Sequence, residues 1–253
     1  MSKLVDKLGR FSKPSPQMGF RRASSESAAP TMLLIAGIRD GDVTGAKAIA
    51  SSNVDAGLIF EQIEMGSLSQ MAEATGSIPM GVFLGEGNSA KVAEIATSGC
   101  DFVVFDVKAP VETLEIKELG KFLAVEMSSG YDLIRPIGEL EVDGVILVNR
   151  EPVLAIEHLL LCRRFGSMIT KPILVEVASP TKADVSTLWE AGVDGIVVPP
   201  GQSLEQLSKL RKTIASLPQR RRRSGKIGVT LPHYGGMAVE EEEAEEEEEE
   251  EEI

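Results

Sequence analysis

The chain has 253 residues, of which 43% are hydrophobic and 4% aromatic, and this is enough apolar material for one large core. Its net charge of −13 comes from twelve glutamates between Glu240 and Glu252; the rest carries −1, so the overall charge indicates neither an acidic nor a basic partner. Two cysteines cannot build a disulfide framework, and neither a membrane-length apolar run nor a secretory signal is recognisable, so we expect a cytoplasmic protein without a membrane partner.

The first thirty residues are predicted to form a mobile leader outside the folded domain. Six basic residues there stand against Asp6 and Glu26, and the segment also holds Pro14, Pro16 and a Ser/Ala-rich stretch. Such a composition is typical of segments that cannot bury enough apolar surface to fold. We therefore place the start of the folded domain at residue 31.

One short phrase occurs four times and marks strands of the buried type. Each copy places an aspartate in front of an apolar run, and the aspartates are 46, 42 and 51 residues apart. A second set of apolar runs alternates with the copies, so eight strands and their helices predict a compact, closed (β/α)8 or TIM barrel over residues 31–218. The copies are 54–60, 100–106, 142–148 and 193–199, and the alternating runs are 32–35, 80–83, 122–125 and 173–175.

The repeated aspartates are Asp55, Asp101, Asp143 and Asp194, and each begins its strand. In these barrels, function gathers at the carboxyl ends of the strands, whereas the opposite face serves stability. We therefore interpret the four aspartates as turn and cap residues that join helix to strand on the stability face.

The carboxyl ends of the strands hold the candidate catalytic residues. Arg39 ends the first strand, Asp106 and Lys108 the fourth, Glu126 the fifth and Glu176 the seventh. Because Asp106 and Lys108 are separated by one residue, they are predicted to point to the same side and to exchange protons or hold a charged amine. Other polar residues at strand ends are Asp40, Glu61, Glu64, Glu86, Asn149, Arg150 and Glu151.

Glu126 and Glu176 end two similar runs in the same register, 121–126 and 171–176. Aligning the odd strands places them in one layer with Ala36 and Phe83. If this layer faces the barrel interior, two carboxylates meet in a low-dielectric site and need a proton, a cation or a metal. The alternative is that they face the helices or belong to a purely structural charge network.

A magnesium ion is the candidate cofactor for these carboxylates. Asp106, Glu126 and Glu176 would together offer the oxygen ligands that a hard ion prefers, and Lys108 and Arg39 are the candidate cationic partners. Neither histidine is expected to take part, because His158 is placed inside the sixth helix and His233 in the tail. Neither cysteine is expected to be a nucleophile.

Residues 106–111 (DVKAPV) resemble the Asp-x-Lys-x-x-Asp signature of the orotidine monophosphate decarboxylase superfamily. In that family the aspartate and lysine form a charged array beside the carboxylate that is cleaved. The resemblance implies this role for Asp106 and Lys108. Val111 stands where the family has its second aspartate, with Glu112 one place later, and the run lies here on the fourth strand rather than the third.

More broadly, the phrase at residues 190–198 (EAGVDGIVV) is similar to the ribulose-phosphate-binding and related phosphate-binding barrels. Those families grip phosphate with glycine-rich loops after strands 7 and 8 and with a helix N-terminus. The resemblance implies a phosphate site here, whereas two prolines at 199 and 200 replace the usual glycine pair and remove two amide donors. The residues left for this site are Lys182, Gly201, Gln202 and Ser203, of which Ser203 opens a capping box.

Residues 219–253 are predicted to be a disordered tail. The arginine cluster at 220–223 lacks interleaved aromatic residues, so we do not expect nucleic-acid binding, and the run of glutamates repels itself. The basic and acidic segments are predicted either to associate with each other or to engage a protein partner.

Two functional hypotheses follow from these patterns. The first is a lyase or isomerase that acts on a small anionic, phosphorylated metabolite, with the strand-end carboxylates as acid/base groups or magnesium ligands and Lys108 and Arg39 as charge stabilisers. The second is a catalytically degenerate barrel that serves as a binding or assembly module through its surface and charged tails. The strand-end charges favour the first, and the altered phosphate loop favours the second.

Overall fold

The structure is a computed structural model that describes residues 2–12, 31–60, 65–84, 92–127 and 133–218. Eight parallel strands close into a barrel in chain order, each hydrogen-bonded to its two sequence neighbours, with β8 returning to β1. The predicted (β/α)8 fold is therefore confirmed. The strands are β1 (Leu33–Arg39), β2 (Ala56–Phe60), β3 (Met80–Leu84), β4 (Phe102–Asp106), β5 (Gly120–Glu126), β6 (Gly144–Val148), β7 (Ile173–Glu176) and β8 (Gly195–Val198).

Helices follow every strand except β4, after which the chain forms a short 3-10 helix, Val111–Glu115. One further helix, α1, precedes the barrel. Glycine directly after a helical run in the sequence predicts a helix end, and Gly99 and Gly192, which stand at such positions, adopt positive φ angles of 89° and 101°. The helices are α1 (Lys3–Ser12), α2 (Val43–Ala50), α3 (Met65–Thr75), α4 (Val92–Thr97), α5 (Ile134–Glu139), α6 (Ile156–Met168), α7 (Lys182–Ala191) and α8 (Leu204–Ala215).

Alternation along the strands creates two apolar shells. Branched residues that face outward pack under the helices, and a second set fills the barrel axis. In the axis, the rings of Phe102 and Phe122 meet edge to face at 5.5 Å. Glycines make room for them, because a Cβ at Gly81 would collide with the Phe102 ring and one at Gly144 would lie 2.7 Å from the Phe122 ring. Large and small residues thus alternate across neighbouring strands.

Helix α1 closes the amino-terminal end of the barrel, here called the floor. Leu4 and Leu8 are 0% and 2% exposed and belong to the same apolar cluster as the interior strand residues. Gly120 at the start of β5 permits this contact, because a Cβ there would lie 2.8 Å from the Ser2 hydroxyl and 2.9 Å from Val5. The structure therefore differs from the predicted leader at residues 2–12, where the spacing of Leu4, Val5 and Leu8 gives a buried helical face.

The four repeated aspartates all lie on the floor, as predicted, but three of them join strand to strand. The Asp55 carboxylate accepts from the Leu34 amide at 2.9 Å, Asp143 from Lys121 at 2.8 Å and Asp194 from Ile173 at 3.0 Å. In each case the aspartate in front of an even-numbered strand binds a backbone amide near the start of the odd-numbered strand that precedes it. The spacing of two βα units between the aspartates in the sequence therefore reflects the spacing of these hydrogen bonds in the barrel.

Asp101 is the exception, and it anchors helix α1. Its carboxylate accepts from the Ser2 hydroxyl at 2.7 Å and from the amides of Lys3 at 2.7 Å and Leu4 at 3.0 Å. A carboxylate in this position satisfies amides that have no partner within the helix and complements the helix dipole. The same phrase in the sequence therefore serves a different purpose in its second copy.

Asp55 also receives a cation from the last helix. The Arg211 guanidinium donates to both carboxylate oxygens, at 2.7 and 3.3 Å, and the Lys7 ammonium of α1 donates to the Asp55 carbonyl at 2.7 Å. Burial lowers the pKa of Lys7, and the Asp55 charge opposes that shift. The first and last helices are thus both fastened to the start of β2.

Candidate active site

The carboxyl end of the barrel, here called the mouth, carries charged and aromatic side chains. On β5, Ala124 belongs to the interior cluster and Val125 to the helix-facing one, so Glu126 faces inward. The same alternation turns Glu176 and Phe83 inward. Ala36 packs instead in the helix-facing shell, so three of the four predicted residues face inward. The prediction placed β1 one residue out of register with the other odd-numbered strands. A shift of one residue moves each side chain of a strand to the opposite face of the sheet.

Arg150 connects the two glutamates electrostatically. Its guanidinium lies 3.7 Å from the Glu126 carboxylate, and both side chains are largely exposed. Burial raises the pKa of Glu176, and the positive charge of Arg150 acts in the opposite direction. A half-buried carboxyl with a raised pKa beside a cation is an arrangement able to accept and donate protons. The sequence indicated both glutamates, but Arg150 was noted only as a strand-end residue.

Two aromatic rings form an apolar part of the mouth. Phe60 at the end of β2 and Phe83 on β3 stack with their planes 6° apart and their centroids at 6.1 Å. Both are partly buried and pack against the interior cluster. They offer a flat surface to an apolar portion of a ligand.

Asp106 and Lys108 are arranged differently from the prediction. β4 ends at Asp106, and Lys108 lies in the turn that follows, with its amide donating to the Asp106 carboxylate at 2.9 Å. The expectation that both side chains project from one side of a strand is therefore wrong. Asp106 is nevertheless at the mouth, where it fixes the turn after β4.

The predicted magnesium ligands are not among the side chains whose ligand atoms converge. Within the described part of the chain, the converging group is Glu151, Glu157 and His158, whose ligand atoms all lie within 4.8 Å of one another. His158 lies inside α6, as predicted, in the first turn of the helix, where its Nδ1 accepts from the Ala155 amide at 3.0 Å. This turn borders the cleft at the ends of β5 and β6, so His158 nevertheless lies beside the mouth.

The loop before α8 contains three of the four predicted phosphate-binding residues, and the fourth, Lys182, begins α7. Ser203 and Gln206 form the predicted capping box, in which the Ser203 amide donates to Gln206 Oε1 at 2.7 Å and the Gln206 amide to Ser203 Oγ at 3.2 Å. Gln202 donates to the Ala178 carbonyl at 2.8 Å and so joins the loops after β7 and β8. Gly201 adopts a φ of 101°, which favours glycine.

Two clefts flank this loop. One, of about 190 Å³, brings Arg39 beside Gly201 and Gln202. The other, of about 240 Å³, lies between α7 and α8 and includes Lys182, Gln202 and Lys209. Three of the four predicted phosphate-binding residues thus line a cleft, each cleft has a cationic side chain, and Ser203 is engaged in its capping box.

The two cysteines are buried, as expected for residues without a nucleophilic role. Burial raises the pKa of the Cys162 thiol to about 12, and it raises that of Cys100 as well. Neither thiol ionises appreciably near neutral pH. Several predicted features lie outside the described residues: Glu61, Glu64, Glu86, His233, the arginine cluster at 220–223 and the glutamates of 240–252.

The fold and its charged mouth define a TIM barrel of the kind that carries its chemistry at the strand ends. Similar solved structures have this fold. A mutant tryptophan synthase alpha-subunit from Pyrococcus furiosus has a TM-score of 0.59 and 15% identity over 72% of this chain and 96% of its own. Tryptophan synthase from Mycobacterium tuberculosis has a TM-score of 0.61 and 14% identity, covering 85% and 97% of the two chains.

A protein of Aquifex aeolicus VF5 is similar to the same degree, with a TM-score of 0.61, 13% identity and coverage of 85% and 98%. No protein-family model and no curated protein sequence matches the chain. At sequence identities of 13–15%, the similarity of this chain to these structures shows its fold and no more. Within the described residues, no helix is long and apolar enough to cross a membrane.

Proposed function

We propose that this protein is a lyase- or isomerase-type enzyme that acts on a small, anionic, phosphorylated metabolite at the mouth of the barrel. The observation that carries the proposal is Glu176, a half-buried carboxyl whose pKa is raised by burial at the end of β7. A structural charge on this face would be stabilised in its ionised form rather than destabilised. Enzymes tune carboxyl pKa values upward in this way for proton transfer near neutral pH.

In this mechanism Glu176 moves a proton at the substrate, and Arg150 stabilises the negative charge that develops. The guanidinium lies 3.7 Å from the Glu126 carboxylate, and it is close enough to Glu176 to affect the pKa of that carboxyl. Phe60 and Phe83 would support the apolar part of the substrate. Asp106 remains a candidate for a second acid/base group, and Lys108 a candidate cation in the turn after β4.

The phosphate would bind at the start of α8. Arg39 and Lys182 line the clefts on its two sides, and Gly201 leaves the backbone accessible. The amides of Leu204 and Glu205 in the first turn have no carbonyl partner within the helix and would donate to the phosphate. Gln202 would keep the two loops together through its bond to Ala178.

The similar structures support this proposal at the level of fold. Two of them bear the name of tryptophan synthase, a biosynthetic enzyme, and one is named as an alpha-subunit. By analogy, we propose a cytoplasmic enzyme that associates with a second protein, in addition to its metabolite. A magnesium ion bound by Asp106, Glu126 and Glu176 is still a prediction. In the described structure, the oxygen atoms of these three carboxylates do not converge into one ligand group.

A catalytically degenerate barrel that binds without catalysis is the second candidate. The capping box favours it, because Gln206 occupies the Ser203 amide that a phosphate would otherwise use. The prolines at 199 and 200 remove two further donors.

The test is a thermal-shift panel of inorganic phosphate, glycerol 3-phosphate and ribose 5-phosphate on the wild type, Glu176→Gln and Lys182→Met. An enzyme of the proposed kind is stabilised by a phosphorylated metabolite through mass action, and Lys182→Met weakens this shift. Glu176→Gln retains binding but abolishes turnover of the metabolite that binds. If no phosphorylated compound shifts the melting temperature, or if Glu176→Gln retains full turnover, the proposed reaction is wrong.

A further inference from the structure

A third cleft lies beside the mouth, between the ends of β5 and β6 and the first turn of α6. It has a volume of about 220 Å³, below the ~300–1,000 Å³ of sites for drug-sized ligands, and therefore suits a small molecule. Three carboxylates, one guanidinium, one imidazole and one carboxamide line it. They belong to Glu126, Glu151, Glu157, Arg150, His158 and Asn149.

The imidazole of His158 is fixed in one tautomer. Its Nδ1 accepts from the Ala155 amide, so the lone pair is on Nδ1 and the proton of the neutral ring is on Nε2. The side chain is 8% exposed, and its Nε2 lies 3.9 Å from the nearest Glu157 oxygen, which is beyond hydrogen-bond distance. His158 therefore presents the N–H of a largely buried ring to the cleft, and this N–H makes no hydrogen bond to a described residue.

Asn149 supplies a second donor of the same kind. Its Oδ1 accepts from the Glu151 amide at 2.9 Å, which fixes the orientation of the carboxamide. Its Nδ2 is buried without a hydrogen-bond partner in the described structure, and the residue is 6% exposed. Buried donors are nearly always paired, so the unpaired Nδ2 of Asn149, in the same small cleft as the His158 N–H, indicates an oxygen acceptor that belongs to a ligand.

The carboxylates of Glu151 and Glu157 are exposed at the same cleft, where they offer acceptors to a positively charged group. A metal ion fits this group poorly, because coordination by Nε2 needs the lone pair that the Ala155 bond places on Nδ1. An ammonium group needs no lone pair from the imidazole and would donate charge-assisted hydrogen bonds of ~2.8 Å to the two carboxylates.

From these contacts we propose that the cleft is a binding site for a small zwitterion of the α-amino-acid type. The ammonium group lies between Glu151 and Glu157. The carboxylate accepts from His158 Nε2 and from Asn149 Nδ2, with Arg150 adding a positive charge at the edge. The site shares Arg150 with the chemistry assigned to Glu176 but does not include Glu176 itself, and it adds an amino acid to the ligands of the protein.

The experiment is a thermal-shift screen of the twenty common L-amino acids, followed by calorimetry with the one that gives the largest shift. The matched amine without the carboxylate and the matched acid without the ammonium are tested beside it. We expect the amino acid to bind and each analogue to bind about tenfold or more weakly, because each lacks one set of charge-assisted hydrogen bonds.

Variants of the residues that line this cleft test whether the amino acid binds there or elsewhere on the protein. Glu157→Gln removes one ammonium partner, and His158→Glu removes the N–H donor while keeping an acceptor for the helix cap. Both are expected to lose binding about tenfold or more at an unchanged fold. Glu139→Gln, an exposed carboxylate on α5, is the matched control and keeps binding. Glu176→Gln also keeps it, so this proposal and the reaction at the mouth can fail separately.

Three results would overturn the proposal. In the first, no amino acid changes the melting temperature. In the second, binding persists in both Glu157→Gln and His158→Glu, which places it elsewhere. In the third, Mn²⁺ or Zn²⁺ raises the melting temperature, Glu157→Gln abolishes that shift and amino acids have no effect, which makes the group a metal site.

Discussion

The carboxylates at the two ends of this barrel differ in the number of donors that surround them. At the floor, Asp55 has a bidentate arginine and a backbone amide, and Asp101 accepts three hydrogen bonds from the start of α1. At the mouth, Glu176 is half-buried, its pKa is raised, and the nearby Arg150 is also shared with Glu126. Both ends contain acids beside the strand ends, but among the described contacts the fullest sets of donors belong to Asp55 and Asp101 at the floor.

The difference shows which acids serve the fold. A carboxylate with all its partners stabilises the native state, whereas one that is desolvated without full compensation lowers stability and is retained for another reason. The aromatic residues follow the same division. Phe102 and Phe122 fill the lower barrel completely, whereas Phe60 and Phe83 remain partly exposed at the mouth. Four predictions test this contrast, beginning with the largest effect.

Truncating Phe102 is expected to cause the largest loss. The side chain is 0% exposed and packs against Phe122, so Phe102→Ala leaves a cavity and lowers the free energy of unfolding by about 4 kcal/mol. Phe83→Ala, the same change at the mouth, should lower it by about half as much, because the ring is already partly exposed. Urea denaturation measures both. Equal losses would show that the two ends are packed alike.

Removing the charge of Asp55 should have the next largest effect. Asp55→Asn leaves the Arg211 guanidinium without its bidentate partner and weakens the bond to Leu34, at a loss of about 3 kcal/mol. Asp143→Asn is the matched variant, because the Lys121 amide is its recorded donor, and it should lose about 1 kcal/mol. Chemical denaturation at neutral pH compares them. A loss for Asp143→Asn as large as that for Asp55→Asn would contradict the role given to Arg211.

Crowding the contact between α1 and the floor should have an intermediate effect. In Gly120→Ala the new methyl group meets Ser2 and Val5, so the helix shifts and stability falls by about 2 kcal/mol. Hydrogen exchange at residues 3–12 should accelerate more than exchange in the strands. Gly9→Ala, within α1 but with nothing near its Cβ, should instead raise stability by about 0.5 kcal/mol. Unchanged exchange in Gly120→Ala would show that α1 does not rely on this glycine.

The smallest effect is expected for Glu176→Gln, and it should depend on pH. Because the folded-state pKa is raised, the native protein binds more protons than the unfolded chain between the ordinary glutamate pKa and the folded value. Stability from this group is therefore lost as the pH rises through that window. Glu176→Gln has no carboxyl to titrate and does not lose stability in this pH range. The free energy of unfolding of the variant, relative to that of the wild type, should therefore increase as the pH rises through the range. A relative stability that decreases there would mean that the charge of Glu176 is stabilising.

The fold was predictable because buried strands of a parallel barrel leave a repeated signal. The aspartate-plus-apolar phrase predicted eight strands and the stability face, and Gly192 and Ser203 marked helix boundaries that the structure has. Helix α1 was missed because its short apolar face stands among basic residues, and the barrel floor that buries it comes from distant segments. Local composition does not report such contacts.

The site was predictable only in part, for the same reason. Glu126 and Glu176 follow from their matched strand ends, but the orientation of Ala36 depends on a register that a one-residue shift reverses. The proximity of Arg150 to both glutamates and of His158 to the β6 end arises from loops and a helix start. Sequence spacing does not specify those distances.

The most direct test of the contrast between floor and mouth is the titration of Glu176 itself, followed by carboxyl ¹³C NMR in the wild type and in Arg150→Gln. We predict a pKa above the ordinary glutamate value of about 4.3 in the wild type and a further rise when the cation is removed. A pKa at or below the ordinary value, unchanged in Arg150→Gln, would show that Glu176 is a solvated surface charge and that the mouth holds no carboxyl prepared for proton transfer.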